Sequence, residues 1–173
     1  MDLLIVDGYN VINAWSEFIE DKDNLEYARD KLVDILSEYG AYKGFKTIII
    51  VFDAHMVAGK GVTRIQTGQL EVIYTKEGET ADSCIEKMTY ELVRQCRHVY
   101  VVTSDWAEQM FVLGTGAFRM SARELKIDVA RVKKEITANI SERVLSRDRH
   151  ELGSRLGKDV LKRLDAMRRD RLD

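Results

Sequence analysis

Four short apolar runs, separated by stretches with helical periodicity, constrain the fold of this chain more than any other feature. The runs cover residues 3–6, 47–52, 70–74 and 99–102. The first, second and fourth are nearly continuous rather than alternating, which is typical of strands in a parallel sheet covered on both faces. Because helical stretches lie between the runs, the sequence predicts an α/β fold with a central, mainly parallel sheet flanked by helices.

Capping residues and apolar periodicity predict where the helices lie. Asn24 is suited to cap the first long helix, and the spacing of Ser121 and Glu124 forms a capping box. Five helices are predicted. The first covers residues 24–40, the second begins at residue 80 or 82, the third covers residues 106–113, the fourth begins at residue 121, and the fifth covers residues 151 to about 172.

Length and apolar content indicate a cytoplasmic protein without a membrane span. The 173 residues contain no run that approaches the ~20 apolar residues needed to cross a bilayer. The first apolar run has no preceding basic region, so it does not have the pattern of a signal peptide. Cys84 and Cys96 lie on one predicted helix, too far apart to form a disulfide, and we expect both to be small buried residues.

Charge is distributed unevenly along the chain, although the net charge is only −2. Residues 119–173 contain 16 Lys and Arg against 10 Asp and Glu, whereas residues 1–118 contain 11 against 19. A basic C-terminal helical extension is common on protein surfaces, and it is also the type of segment that meets a polyanion. The candidate RNA-binding residues are Lys60, Arg64, Arg119, Arg123 and Lys126.

Acidic residues follow the predicted strands at the points where the strands end. Asp7, Asp53 and Asp105 come after the first, second and fourth runs, and Asp82 lies at a predicted helix start after the third. Ligands of open α/β sheets bind beyond the carboxyl ends of the strands, so we expect these acids to converge. Clustered carboxylates favour a hard cation such as Mg²⁺ or Mn²⁺, which activates water and neutralises charge on a phosphoryl group.

Each acid alone also has a simpler interpretation. Asp82 is as well suited to cap a helix as to bind a metal, and Asp53 is acceptable as a turn residue. Asp7 is harder to explain in this way, because Gly8 and Asn10 follow it where a helix is about to start.

Four acidic segments resemble, in order, the motifs of NYN domains, which are relatives of the PIN and flap-nuclease group. Residues 6–10 (VDGYN) resemble the opening motif, and residues 52–54 (FDA) match the middle acidic position. Residues 80–82 (TAD) and 102–105 (VTSD) look like the later motifs. Residues 118–125 are similar to a segment of the bacterial YacP-like subgroup, so the resemblance covers essentially the whole chain.

This resemblance implies a single Rossmann-like PIN fold and a divalent-metal endoribonuclease that uses Mg²⁺ or Mn²⁺. It implies that Asp7, Asp82 and Asp105 bind the metal and that Asp53 is a fourth catalytic acid. Asn10 and Ser104 would position water or the scissile phosphate. The residues implied to be catalytic are therefore Asp7, Asn10, Asp53, Asp82, Ser104 and Asp105.

The resemblance also implies a target and a division of the chain. YacP-like proteins are associated with the ribosome and with translation-dependent cleavage of mRNA. Residues 1–137 would form the nuclease domain, and residues 138–173 a basic helical extension packed on it. Two other functions stay open, a catalytically silent RNA- or ribosome-binding module and a small-molecule phosphatase or nucleotide-binding protein.

Four aromatic residues near these motifs are candidates for stacking on RNA bases if they are exposed. For Trp15 and Tyr74 a place in the core is the favoured interpretation, because large aromatic side chains mostly fill protein interiors. For Trp106, directly after Asp105, both interpretations are equally favoured. The four candidates are Tyr9, Trp15, Tyr74 and Trp106.

Overall fold

A computed structural model describes residues 2–18, 24–53, 63–76 and 78–155 of the chain, with the backbone alone for residue 63 and for residues 142–155. Of the RNA-binding candidates, Lys60 lies outside these residues. So do residues 156–173, which contain most of the last predicted helix.

The described residues form a six-stranded sheet in the order β3-β4-β2-β1-β5-β6. All neighbouring strands are parallel except β3 and β4, which form an antiparallel pair at one edge. The strands are β1 (Asp2–Asp7), β2 (Thr47–Phe52), β3 (Thr63–Thr67), β4 (Leu70–Tyr74), β5 (His98–Val102) and β6 (Phe118–Met120).

Helices cover both faces of this sheet. On one face, Ile5 and Ile49 belong to a buried cluster with Ile85 and Val112 of the helices α3 and α4. On the other face, the next residues along the same strands meet α1 and α2, as Ile48 does at Gly40. The helices are α1 (Gly8–Ala14), α2 (Leu25–Lys43), α3 (Ala81–Leu92), α4 (Trp106–Thr115) and α5 (Ala122–Arg155), with a short 3-10 helix at Ser16–Phe18.

The prediction of an α/β fold with a mainly parallel central sheet is confirmed. All four predicted strands form, and Asn24 caps α2 by accepting a hydrogen bond from the Tyr27 N–H at 3.1 Å. The choice between two starts for α3 is settled in favour of Thr80, whose hydroxyl accepts from the Ser83 N–H at 3.2 Å.

Two helix predictions were wrong in their extent. Separate helices were predicted to begin at residue 121 and near residue 151. Both starts lie in one helix, because α5 runs without interruption from Ala122 to Arg155. No proline and no glycine before Gly153 interrupt this segment, so nothing in it stops a helix. Helix α3 ends at Leu92, so Cys96 lies beyond it, and both cysteines are free and only partly buried beside the core.

The chain divides into two compact units between Val132 and Lys133, inside α5. The first unit holds the sheet and the helices α1 to α4. In the second unit, the described residues are the remainder of α5. Within the described part of the chain, no helix is both long enough and apolar enough to cross a membrane.

Candidate metal centre

The candidate site lies beyond the carboxyl ends of the central strands, and Asp7 is the acid that ends the first of them. Asp7 is the last residue of β1 and the N-cap of α1, where its Oδ1 accepts a hydrogen bond from the Asn10 N–H at 3.0 Å. Only 8% of Asp7 is exposed. Gly8 follows because a Cβ there would lie 2.2 Å from Cε1 of Phe52, so the backbone can turn into α1 only without a side chain.

Three carboxylates from distant parts of the chain meet at this position. Asp7 ends β1, Asp82 lies in the first turn of α3, and Glu108 lies in the first turn of α4. One oxygen atom of each lies within 4.8 Å of the other two. The predicted convergence of Asp7 and Asp82 is therefore observed, and Glu108 joins them as an acid that the sequence analysis did not identify.

Glu108 is the most deeply placed of the three acids. It is only 3% exposed, and within the described residues neither carboxylate oxygen has a hydrogen bond of normal geometry, although the Thr103 hydroxyl lies close enough to lower its pKa. Buried carboxylates normally carry hydrogen bonds, pair with a cation or bind a metal, because an uncompensated buried charge is costly. This acid therefore fits a bound cation better than it fits a structural role.

Burial and mutual repulsion raise the pKa values of the clustered acids. Burial raises the pKa of Glu108 to about 7, the nearby Thr103 hydroxyl opposes the shift, and the charges of Asp82 and Asp7 add to it. Burial also raises the pKa of Asp7 to about 6, against the hydrogen bond from Asn10. The pKa of Asp82 is raised by burial and by the charges of Asp105 and Asp53. The cluster thus resists full ionisation without a cation.

Asp105, predicted as a metal ligand, is not one of the three carboxylates that meet. It is exposed and serves as the N-cap of α4, where its Oδ1 accepts from the Glu108 N–H at 3.0 Å. The Asp105 N–H is held in turn by the Thr103 hydroxyl at 3.0 Å. Asp105 therefore fixes the helix end that carries Glu108, and its charge acts on the pKa of Asp82.

The two predicted polar residues also lie at this edge and contact each other. Oδ1 of Asn10 accepts a hydrogen bond from the backbone N–H of Ser104 at 3.0 Å. Asn10 therefore joins the turn after β1 to the turn after β5. The side chain of Ser104 is exposed.

An open cavity of about 420 Å³ lies at this edge of the sheet and reaches Asp7 and Asp82, whereas Glu108 is not among its lining residues. Asp53 lies at the end of β2, and it lines this cavity with Asp7 and Asp82. The Tyr9 side chain also lines it, and its hydroxyl accepts a hydrogen bond from Arg29 at 2.9 Å while keeping its own hydrogen to donate. We call this space the acidic pocket; its other lining residues are Asn10, Asn13, Thr80 and Ala81.

The predicted RNA-binding residues fall in two places. Arg64 lies on β3, 3.5 Å from Glu71 of β4. The other three lie on β6 or on the helix after it, and β6 pairs in parallel with β5, with the Thr103 N–H donating to the Met120 carbonyl at 3.1 Å. They are Arg119 on β6, which lies 3.6 Å from Glu124, Arg123, which is exposed on α5, and Lys126, which donates to the Ser16 hydroxyl at 2.8 Å.

The two tryptophans have opposite environments. Trp15 is 1% exposed and its Nε1–H donates to the Ala122 carbonyl at 2.8 Å, so its interpretation as a core residue is confirmed. Trp106 is 72% exposed at the start of α4, beside Asp105. Tyr74 is partly buried and stacks on Phe52, with ring centroids 5.7 Å apart.

Comparison with known proteins finds the same fold and family along the whole chain. Residues 4–169 match the YacP-like NYN domain. A Bacillus subtilis (strain 168) protein, "Uncharacterized protein YacP", is 42% identical over 175 residues and is covered completely, as is this chain. The crystal structure of Rae1 (YacP) from Bacillus subtilis is 39% identical with a TM-score of 0.73, covering 100% of this chain and 98% of that one.

A second crystal structure, of the W164L mutant of Rae1 (YacP) from Bacillus subtilis, gives a TM-score of 0.72 at 40% identity over 83% of each chain. An NYN domain has a PIN-like nuclease fold, so these matches indicate a nuclease-type hydrolase that acts on RNA. The chain belongs to the YacP-like NYN domain family.

Proposed function

We propose that this protein is an endoribonuclease that requires Mg²⁺ or Mn²⁺ and cleaves mRNA in the cytoplasm in association with the translating ribosome. The observation that carries the metal requirement is the meeting of Asp7, Asp82 and Glu108 within 4.8 Å, with both Glu108 oxygens buried and no hydrogen bond of normal geometry to either among the described residues. The donor set consists of oxygen alone, which suits Mg²⁺ or Mn²⁺ better than zinc.

The residues of the chain have separate tasks in this proposal. Asp7, Asp82 and Glu108 would hold the ion, and Asp105 would hold the start of α4 so that Glu108 points inward. A divalent ion held there supplies a more acidic water and neutralises charge that develops on a phosphoryl group. The hydrolysis adds water across a P–O bond of the RNA backbone, so one product gains a terminal phosphate and the other a hydroxyl.

Other residues at the same edge are proposed to bind the substrate. Tyr9 retains a hydroxyl hydrogen that can be donated to a phosphate oxygen in the acidic pocket. Asp53 would add a further carboxylate to the lining of this pocket. The hydrogen bond between Asn10 and Ser104 would hold the turns at its edge in position. Arg119 on β6 and Arg123 on α5 would bind phosphates of the RNA. Their positive charge would offset the repulsion of RNA by the acids.

Association with the ribosome rests on different support, namely the family resemblance and the excess of basic residues after residue 118. Arg163 and Arg169 belong to that region and lie outside the described residues. Reversing both charges, Arg163→Glu with Arg169→Glu, should weaken co-sedimentation with ribosomes while RNA cleavage by the isolated protein continues. Unchanged co-sedimentation would contradict the ribosomal part of the proposal.

The main alternative is a silent RNA-binding module that keeps the fold. It predicts RNA binding without cleavage under any metal, whereas the proposal predicts internal cleavage of a circular RNA that has no ends for an exonuclease. We expect cleavage of such a circle with Mn²⁺ or Mg²⁺ and none with EDTA. Asp7→Asn, Asp82→Asn and Glu108→Gln should each reduce the rate at least about 100-fold, the size expected when a group that stabilises transition-state charge is lost.

A matched control separates lost chemistry from general damage. Asp34→Asn replaces an exposed acid on α2 and should leave cleavage unchanged. Thermal unfolding of every variant shows whether it is folded. Equal cleavage by the Asp7→Asn variant and the unmodified protein would refute the proposed centre.

A further inference from the structure

A second cavity, of about 470 Å³, lies beside the acidic pocket and has a different lining. Its floor is apolar, with Ile73 of β4 and with Cys84 and Met88 of α3. Its volume is within the range of roughly 300–1,000 Å³ that is usual for small-molecule sites. We call this space the lateral pocket; its remaining lining residues are Arg64, Tyr74, Thr75, Lys76, Glu79, Lys87 and Glu91.

The first turn of α3 separates the two pockets. Thr80, Ala81 and Asp82 line the acidic pocket, while Glu79 just before them and Cys84 just after them line the lateral pocket. A row of aromatic rings connects the pockets on the strand side. Tyr74 of the lateral pocket stacks on Phe52 at 5.7 Å, and Phe52 contacts Tyr9 of the acidic pocket at 5.1 Å between centroids.

The lateral pocket differs from the acidic pocket in charge, because its lining contains cations as well as acids, whereas the charged residues that line the acidic pocket are all acids. Three cations, Arg64, Lys76 and Lys87, face two acids, Glu79 and Glu91. Two of the cations are held in place, since Lys87 lies 2.8 Å from Glu79 and Arg64 lies 3.5 Å from Glu71. An apolar floor bordered by cationic side chains suits an anion that carries a flat, apolar face, as a nucleotide does.

We infer that the lateral pocket binds one unpaired nucleotide of the RNA substrate, the one next to the scissile phosphate, with its base on the Ile73, Cys84 and Met88 floor. This inference rests on the proposed function, because it takes the acidic pocket as the point of cleavage. The neighbouring phosphate lies towards Lys76 and Lys87. Single-stranded RNA is recognised in this way, by bases turned out of the strand into pockets and by cations along its backbone.

Oligoribonucleotides that lack one base test this inference. An abasic residue is placed at each position in turn, and affinity is measured with Ca²⁺ in place of Mn²⁺ so that the strand stays intact. One position should lose about 10-fold in affinity, within the range seen when a base–protein contact is removed. Cys84→Phe fills the pocket, and in this variant the same abasic residue should cause no further loss.

Cys84→Ser is the matched control, because it keeps the pocket open and should retain the full abasic penalty. An equal penalty in the unmodified protein and in Cys84→Phe overturns the inference, and so does the absence of any sensitive position. Failure of the proposed function is read separately, from Mn²⁺-dependent cleavage of the unsubstituted RNA by the same preparations.

If Cys84→Phe does not fold, alkylation of the Cys84 thiol in a Cys96→Ser background gives the same answer. Bound RNA should slow this alkylation at least about 5-fold, and an RNA abasic at the sensitive position should protect much less. No protection by RNA overturns the inference. Protection by a free nucleoside monophosphate, combined with none by RNA, also overturns it and indicates a small-molecule site instead.

Discussion

The side-chain oxygen of Asn10 accepts a hydrogen bond from the backbone N–H of Ser104 at 3.0 Å, across 94 positions of sequence. Asn10 stands in the first turn of α1, just after Asp7, and Ser104 stands just before Asp105. This bond fixes the turn that carries the first acid to the turn that leads to Glu108. It connects two elements whose relative position decides the geometry of the cluster.

Removing this bond should affect catalysis more than folding. Asn10→Ala should lower the free energy of unfolding by about 0.5–1.5 kcal/mol, the usual net value of one hydrogen bond. The same change should lower kcat at least about 10-fold, because small displacements of catalytic groups are costly. Ser104→Ala is the control, since it preserves the backbone N–H. A larger loss of kcat in Ser104→Ala than in Asn10→Ala would show that the serine hydroxyl, rather than this bond, is needed.

Glu108→Gln should make the metal-free protein more stable while it removes activity. The glutamate is buried without a hydrogen bond of normal geometry among the described residues, and the amide carries no charge to desolvate. At pH 8, above its pKa of about 7, we expect a gain on the order of 1 kcal/mol without metal. Denaturant unfolding with EDTA measures this gain. Glu86→Gln, at a partly exposed position of α3, should change neither stability nor cleavage.

Stability of the metal-free protein should fall as the pH rises from about 4 to about 8. The folded-state pKa values of Asp7, about 6, and Glu108, about 7, lie above their ordinary values of 3.8 and 4.5. The folded state therefore binds more protons than the unfolded state in this interval, and deprotonation costs it stability. Each acid should account for a loss of about 2–3 kcal/mol, and the two together for about 5–6 kcal/mol.

Excess Mn²⁺ should flatten this pH dependence, because the ion binds the deprotonated acids of the folded state. The Asp7→Asn, Glu108→Gln double variant should show a flatter profile without metal. Chemical denaturation at a series of pH values, with EDTA or with Mn²⁺, measures both effects. A stability that rises over this interval in EDTA would contradict the assigned direction of the shifts.

The two tryptophans should respond differently to RNA. Trp106 is 72% exposed beside the site, so RNA should quench its fluorescence, and Trp106→Ala should weaken RNA binding about 5-fold or more without loss of stability. Trp15 is buried, and Trp15→Phe should instead destabilise the fold by about 1–3 kcal/mol through its lost hydrogen bond to Ala122. Equal quenching in Trp106→Phe and in the unmodified protein would contradict a role in stacking.

The central strands could be predicted because their residues are apolar without interruption, a pattern typical of strands that are covered on both faces. The two edge strands, β3 and β6, could not be predicted from the sequence. In β3, residues 63–67, the only large apolar side chain is Ile65, which is 49% exposed at the edge of the sheet. In β6 only three residues pair, and Phe118 is 48% exposed. Neither segment has the pattern of a buried strand.

The site was predicted as far as strand ends determine it. Asp7 and Asp82 follow strands in the sequence and meet in space, as expected. Glu108 was not predicted as a site residue, because an acid inside a helix normally faces solvent. It points inward here because of the orientation of α4. The available signal was its spacing of three from Asp105, which places it in the first turn of the helix that Asp105 caps.

The strand order has a consequence for when the protein acquires its proposed activity. Asp7 belongs to β1, which is translated before the other strands of the sheet, yet β1 occupies a middle position in it, between β2 and β5. Its partner Glu108 is translated roughly a hundred residues later, after β5. A nascent chain that has reached only β4 thus contains Asp7 but not Asp82 and Glu108, which complete the proposed ion site. We therefore expect such a chain to lack the proposed cleavage of RNA until translation has passed β5.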